Sequence, residues 1–375
     1  MAFRQHAAVS RSSAGGNMKQ NQAGEQKRTF RNRCCEMLSV LVRADNVCPD
    51  VILCLFAPLL SAADLAVRTS TEHALYTKLQ SILNELCHTK MKLCPSDPAL
   101  FTHTFDSIVI ASRPMINPVL QSQAGQCLSA VIRLAHRLLD RSSDINRQLV
   151  DRQCSLIREY FGGGGDNAND DDNKVGTGAA RVPNALVEVP IRNHTSFLID
   201  CLPQLSELAF VSEAVRPFHK AQALSLLDAY VKPNLVDFEH KPVKRYWKSF
   251  VQHFEAQLTV MLQSVLNPES VDSNKHLKPQ FVSHMLALLS AVLRCIDVTK
   301  MKCLCDTAWR HEYLEPLSTP ARWRALAGHK RIASAVVSLT GKQPFTHCAL
   351  AVQRLDTHGA LDADVPAETK KRKLE

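Results

Sequence analysis

At 375 residues, with 45% apolar and 22% charged side chains, the chain has the balance of a globular protein able to bury a substantial core, which excludes a wholly disordered polypeptide. Aromatic residues make up only 6% while Leu, Ala and Val abound, a composition that favours helix-on-helix packing over sheets. The formal net charge of +9 is compatible with an acidic partner, so the placement of the cations matters more than their sum.

Residues 1–29 read as a basic, flexible arm. Within residues 1–33 seven Lys or Arg stand against the single Glu25, on a Ser, Gly, Gln and Asn background too polar to fold. No apolar core of a secretory signal occurs in residues 1–26. The longest apolar run, residues 51–63, falls short of the roughly 20 residues that a membrane span needs. Thirteen cysteines are scattered through amphipathic stripes at positions such as Cys34, Cys87, Cys127 and Cys295, where a thiol serves as a small core residue, so a reducing, intracellular setting without membrane attachment is expected.

Residues 30–94 are predicted to form three consecutive helices. The first runs from Phe30 through Arg43, the second follows Pro49 over the apolar run 51–60, and the third covers residues 75–94. In the third, Leu79, Ile82, Leu83, Leu86 and Cys87 recur at i, i+3, i+4, i+7 and i+8, the stripe of a helix with one buried face. Short helices of this kind gain little from propensity, so each needs a neighbour.

The same residues carry a resemblance. Phe30-x-x-Arg33 ahead of an apolar helix, then Pro49 and Pro58-Leu59-Leu60, then Leu75-Tyr76-Thr77-Lys78 leading to Leu86-Cys87-His88-x-Lys90, resembles the C-terminal region of the Myb-binding protein 1A and DNA polymerase V family. The resemblance covers residues 30–94. It implies a helical-repeat nucleolar protein acting in ribosomal RNA synthesis and transcriptional regulation, with transcription factors or nucleolar proteins as partners. The polymerase in the family's name does not imply polymerase chemistry.

Further along, Leu128, Val131, Ile132, Ala135, Leu138 and Leu139 mark another amphipathic helix, and residues 144–160 one more, closing a first helical block over residues 30–161. Residues 162–181, opening on Gly162-Gly163-Gly164-Gly165 and rich in Asp and Asn, are expected to be a flexible linker. A second helical block is expected over residues 182–340. Residues 182–191 have a strand-like look, whereas Leu258, Met261, Leu262, Val265 and Leu266, and again Met285, Leu288, Leu289, Val292, Leu293 and Ile296, repeat the helical spacing. Helices of roughly 20 residues divided by short breaks suit paired-helix units of about 40 to 47 residues, as in HEAT and armadillo arrays. The predicted fold is therefore an all-α, helical-repeat solenoid in two blocks, with an irregular helical bundle as the competing architecture.

Catalytic signatures are missing from the sequence. The glycine run 162–165 is not followed by the Lys and Ser or Thr of a phosphate-binding loop, and it leads into Asp170, Asp171 and Asp172, which repel phosphate. Those carboxylates, and Asp362 with Asp364, lie in segments too flexible to fix two metal ions. Cys295, Cys303, Cys305 and His311 are the one cluster with zinc-ligand chemistry, but they lack the Cys-x-x-Cys pairing of structural sites, and Cys295 belongs to a helix face. No Gly-x-Ser-x-Gly elbow occurs. The Leu-x-x-Leu-Leu docking motif is also absent, since Phe56, Ala135, Ala223 and Met285 precede the candidate Leu-Leu pairs. No catalysis, metal, cofactor or small-molecule substrate is expected.

Two signals remain. Lys370-Lys371-Arg372-Lys373, in a tail spanning residues 341–375, matches the run of adjacent cations that importin grooves read, and predicts a nuclear address. The helix start Lys241, Lys244, Arg245 and Lys248, interleaved with Tyr246 and Trp247, together with Arg322, Arg324, Lys330 and Arg331, has the cations and rings with which proteins hold DNA or RNA phosphates and stack on bases. Against this, Trp247, Phe250, Val251 and Phe254 share one helical face that suits a core contact, which leaves the cations as a solvated rim.

Overall fold

The computed structural model describes residues 24–44, 47–69, 73–140, 142–162, 182–213, 215–236, 240–267, 279–296, 301–327 and 344–363. Among these every regular element is helical. Two compact units divide the chain, residues 1–149 with 177–190 and residues 150–176 with 191–375. The division passes within helices at 149/150 and 190/191 and again at 176/177, inside the expected linker 162–181, most of which lies outside the described residues.

The first unit opens with α1, residues 24–43, followed by α2 (Pro49–Arg68), α3 (His73–His88), α4 (Leu100–Ser112) and α5 (Pro118–Leu138). Each helix packs on its successor or on the next but one: α2 meets α3 and α4, and α5 meets α3 and α4. The polar ties keep the same step. Arg43 pairs with Glu85, Ser96 donates to Asp50, Arg68 donates to the Pro114 carbonyl and Arg133 to the Cys87 carbonyl, each bridging 42 or 46 residues of sequence. Such recurrence is what stacked two-helix units produce, and its length falls in the range expected from the helix spacing.

Local chemistry explains the helix ends. Asn117 caps α5 by accepting from the Val119 and Leu120 amides at 2.9 and 3.2 Å, with Pro118 supplying a preset φ in the first turn. Arg133 reaches back from α5 to the Cys87 and Thr89 carbonyls and so satisfies acceptors at the end of α3. Asp50, in the first turn of α2, accepts from the Ser96 amide and hydroxyl at 2.9 and 2.8 Å, which hold its carboxyl below the usual range.

At 20 residues α2 is long and apolar enough to cross a membrane, contrary to the expectation from the run 51–63. Its packing identifies it as a core helix. Ile52, Leu53, Phe56, Leu59, Leu60, Ala63 and Ala66 form one buried face, while Pro58 lies exposed and Asp64 pairs with Arg68 at 2.7 Å.

Residues 144–162 form α6 (Asp144–Gly162) and the strand-like segment 182–191 forms most of α7 (Asn184–Asn193). Its burial decides the period: Leu186 and Val187, then Pro190 and Ile191, are buried, while Glu188 and Val189 between them are partly exposed. A four-residue recurrence is helical, and the β-branched residues that suggested a strand are serving a helix–helix contact instead.

The second unit contains a continuous helical stretch made of a 3-10 turn (Ile199–Cys201), α8 (Leu202–Ser206) and a π turn (Glu207–Val211), then α9 (Pro217–Leu227), α10 (Pro233–Val236), α11 (Lys241–Leu266) and α12 (Pro279–Cys295). Short helices α13 (Lys302–Cys305) and α14 (Thr307–Trp309) lead through a π turn (Arg310–Leu314) and a 3-10 turn (Glu315–Ser318) into α15 (Pro320–Ala327), and α16 spans Pro344–Ala363. Helix α12 packs against α9 and α16, and α11 against α8 and both π turns. Residues 344–363 belong to the expected tail, yet Cys348, Ala351 and Leu355 are buried, so helical packing continues past residue 341.

Four large buried ring groups in this unit find acceptors. The Tyr230 hydroxyl donates to the Leu198 carbonyl at 2.9 Å, and all three tryptophans place the indole N–H on an acceptor: Trp247 on the Leu235 carbonyl, Trp309 on the Thr259 hydroxyl and Trp323 on the Leu317 carbonyl. All thirteen cysteines are free thiols.

Candidate interaction surface on helix α11

Pro242 in the first turn and an extended His240 before it start α11, the longest helix described, at 26 residues. Its apolar residues recur at helical spacing and are buried: Val243, Trp247, Phe250, Val251, Phe254, Leu258, Met261, Leu262 and Val265. Trp247 meets Phe250 edge-on with centroids 5.4 Å apart, Phe250 stacks on Phe254 at 6.0 Å, and Phe210 packs against both phenylalanines. This cluster fixes the rotation of the helix.

With that face inside, Lys241, Lys244, Arg245 and Lys248 all lie exposed on the opposite side at i, i+3, i+4 and i+7. The structure thus unites four of the eight candidate contacts into one cationic strip along two turns. It withholds the rings: Trp247, Phe250 and Phe254 are core, and Tyr246 is half-buried with its phenol pushed up by burial and by Asp200. The strip can neutralise phosphates or carboxylates but presents no aromatic stacking platform of its own.

Arg322 and Arg324 are exposed on α15. They do not extend the strip. The Arg322 guanidinium donates to the carbonyl of Leu266, the last residue of α11. From Lys248 to Leu266 the helix rises roughly 27 Å at about 1.5 Å per residue, so the two groups of cations sit at opposite ends of α11. Lys330, Arg331 and the run Lys370, Lys371, Arg372 and Lys373 lie outside the described residues.

The zinc-type cluster disperses among other partners. Cys303 donates to the Glu255 carboxylate at 3.3 Å, and burial beside that charge pushes its thiol far up; Cys295 donates to the Val231 carbonyl, and His311 pairs with Glu315. Among the described residues no group of three or more His, Cys, Asp or Glu is placed to hold a metal ion.

One thiol pair was missed by sequence reading. Cys154 and Cys201 are buried with their sulfurs 3.0 Å apart; the hydrogen bond favours a thiolate on Cys154 and, with burial, pushes the Cys201 thiol up. Forty-seven residues separate the two, and nothing in their local spacing announces the contact.

Residues 179–320 match the family model described as Myb-binding protein 1A-like, TPR repeats. Over this segment the chain is similar to the Myb-binding protein 1A-like family. The segment runs from α7 to the first residue of α15 and includes the whole of α11 with its cationic strip. The match lies outside residues 30–94, the stretch whose motifs resemble the same family. The family description names helical repeats, and repeats of this kind generally mediate protein–protein contact, in keeping with an all-α helical-repeat protein and with protein partners. No curated protein matches the chain, and no solved structure does.

Proposed function

We propose that the chain is a non-catalytic nuclear, and specifically nucleolar, scaffold that takes part in transcriptional regulation and ribosomal RNA synthesis by capturing transcription factors or nucleolar proteins on its helical-repeat surfaces. The observation that supports this most is the family match over residues 179–320. Lys370 to Lys373 supply the importin-type address. The test is imaging of the tagged full chain beside a variant with Lys370, Lys371, Arg372 and Lys373 changed to alanine, paired with pulse-labelling of new ribosomal RNA after depletion. Nucleolar accumulation that the variant loses, with reduced labelling, is expected. An intact chain that stays outside the nucleus, or labelling unaffected by depletion, overturns the reading.

A second reading, direct contact with DNA or RNA, is favoured by the exposure of Lys241, Lys244, Arg245 and Lys248 on a single face. With no stacking rings in the strip, such binding is sequence-independent and salt-sensitive. Reversing all four charges should lower the magnitude of the log–log salt slope by up to about 3.6, at roughly 0.9 per phosphate contact on duplex DNA. An unchanged slope removes this reading and leaves the strip as a solvated rim.

A further inference from the structure

Helix α1 buries only one side. Cys35 and Val42 face the core, and the Lys78–Glu36 and Arg43–Glu85 pairs tie the helix to α3. On its outer side Phe30 is 69% exposed, Met37 73%, Val40 71% and Leu41 38%, with Cys34 half-buried among them. Phe30, Cys34, Met37 and Leu41 are separated by four, three and four residues. That spacing makes a continuous seam, the pattern by which one helix receives the knobs of another.

A single exposed apolar residue needs no explanation, but several aligned on one face mark an interaction site. The charges beside the seam say what kind of helix fits it. Lys27 continues the seam by one step toward the N-terminus, Arg33 flanks it, and both are exposed, as is Arg28 one residue on. The acids of α1 are Glu25 and Glu36, and Glu36 is committed to Lys78. In heptad terms the positions flanking the seam hold Gln26, Arg31, Arg33, Leu38 and Val40, with no carboxylate among them. A second copy of α1 would therefore add cations and no carboxylate at the flanking positions.

We infer that the outer face of α1 is a docking seam for an amphipathic helix of a partner protein, one with apolar residues at heptad spacing and acidic residues beside them. The apolar contact provides affinity, and Lys27 and Arg33 select acidic over basic helices and set the register. The inference rests on the scaffold reading only in taking the partner to be a protein. Because the test is a purified binding measurement, its outcome is separate from that of the localisation experiment.

The probe is a synthetic 28-residue peptide with Leu at the a and d positions and Glu at e and g, compared with its counterpart carrying Lys at e and g. Binding of each labelled peptide to the full chain is followed by fluorescence anisotropy. The acidic peptide should bind at least tenfold more tightly than the basic one. Met37→Glu, at a mostly exposed position, should abolish binding while leaving the helical circular dichroism and the melting temperature unchanged, and Arg33→Glu should erase or reverse the preference for the acidic peptide. Equal binding of the two peptides, failure of both to bind, or binding indifferent to Met37→Glu overturns the inference. So does sedimentation showing a dimer that Met37→Glu dissociates, since the occupant is then a second copy.

Discussion

Replacing Gly125 by alanine reverses what helix propensity alone would give. In an unobstructed helix interior, alanine is favoured over glycine by about 1 kcal/mol, through backbone entropy and helix propensity. Gly125 lies in the middle of α5, where a Cβ would sit 2.4 Å from the Ala185 carbonyl oxygen, 2.9 Å from its carbonyl carbon and 3.0 Å from the Val189 side chain. The nearest obstacle is backbone and cannot rotate away, so α5 and the start of α7 must separate within the first unit. Overpacking of this kind costs about 1 to 3 kcal/mol, and a backbone overlap belongs at the upper end, leaving a net loss of about 2 kcal/mol. For a unit of this size that lowers the melting temperature by roughly 4 to 8 °C. The assay is urea and thermal unfolding by far-ultraviolet circular dichroism, with Gly24→Ala as the control, because nothing lies within 4 Å of a Cβ built at Gly24. Gly125→Ala should melt early and Gly24→Ala should not. A Gly125→Ala protein as stable as its parent would refute the close approach of α5 and α7.

Three further outcomes are expected. Tyr230→Phe removes the buried hydroxyl that donates to the Leu198 carbonyl and strands that acceptor, so urea unfolding should show a loss of about 1 to 3 kcal/mol, whereas no change would mean the carbonyl has another donor. His347 is held below its ordinary pKa by burial and by Arg294, with its Nδ1 2.8 Å from the Ser290 hydroxyl. The unfolded chain therefore binds more protons, and the contribution is complete above the unfolded value near 6.5 and declines as pH falls from there toward the lower folded value. His347→Gln should flatten the fall in stability below about pH 6.5, and equal pH profiles would count against this assignment. In thiol alkylation read by mass spectrometry, Cys54 and Cys305 are exposed and should label ahead of Cys348, whose thiol is pushed up to about 12 by burial; early labelling of Cys348 would contradict the packing of α16.

The helices of the first unit were legible in the sequence because each carries an uninterrupted apolar stripe, as α3 shows: Leu79, Ile82, Leu83 and Leu86, four of the stripe's five predicted members, are buried. Helical repetition was legible too, but not its kind: the stripes suggested HEAT or armadillo units, whereas the family model over residues 179–320 names TPR repeats. Residues 182–191 misled because their alternating branched residues satisfy a period of two as well as one near four, and only the burial of Pro190 beside Ile191 separates the two. The α16 helix was hidden by its weak amphipathicity: Cys348, Ala351 and Leu355 are buried, but Ala349, Leu350 and Val352 between them are not, so the sequence shows no clean stripe. The candidate cations divide along the same line. Lys241, Lys244, Arg245 and Lys248 share a face by helical spacing alone, which any reader of the sequence can verify. That Arg322 belongs at the far end of α11 depends on its contact with Leu266 across 56 residues, and no local pattern encodes it. Periodicity specifies which side of a helix is wet; which wet sides become neighbours is decided by packing. For this reason the strip on α11 and the pair on α15 must be tested as two surfaces: charge reversal at one should leave the salt dependence contributed by the other intact.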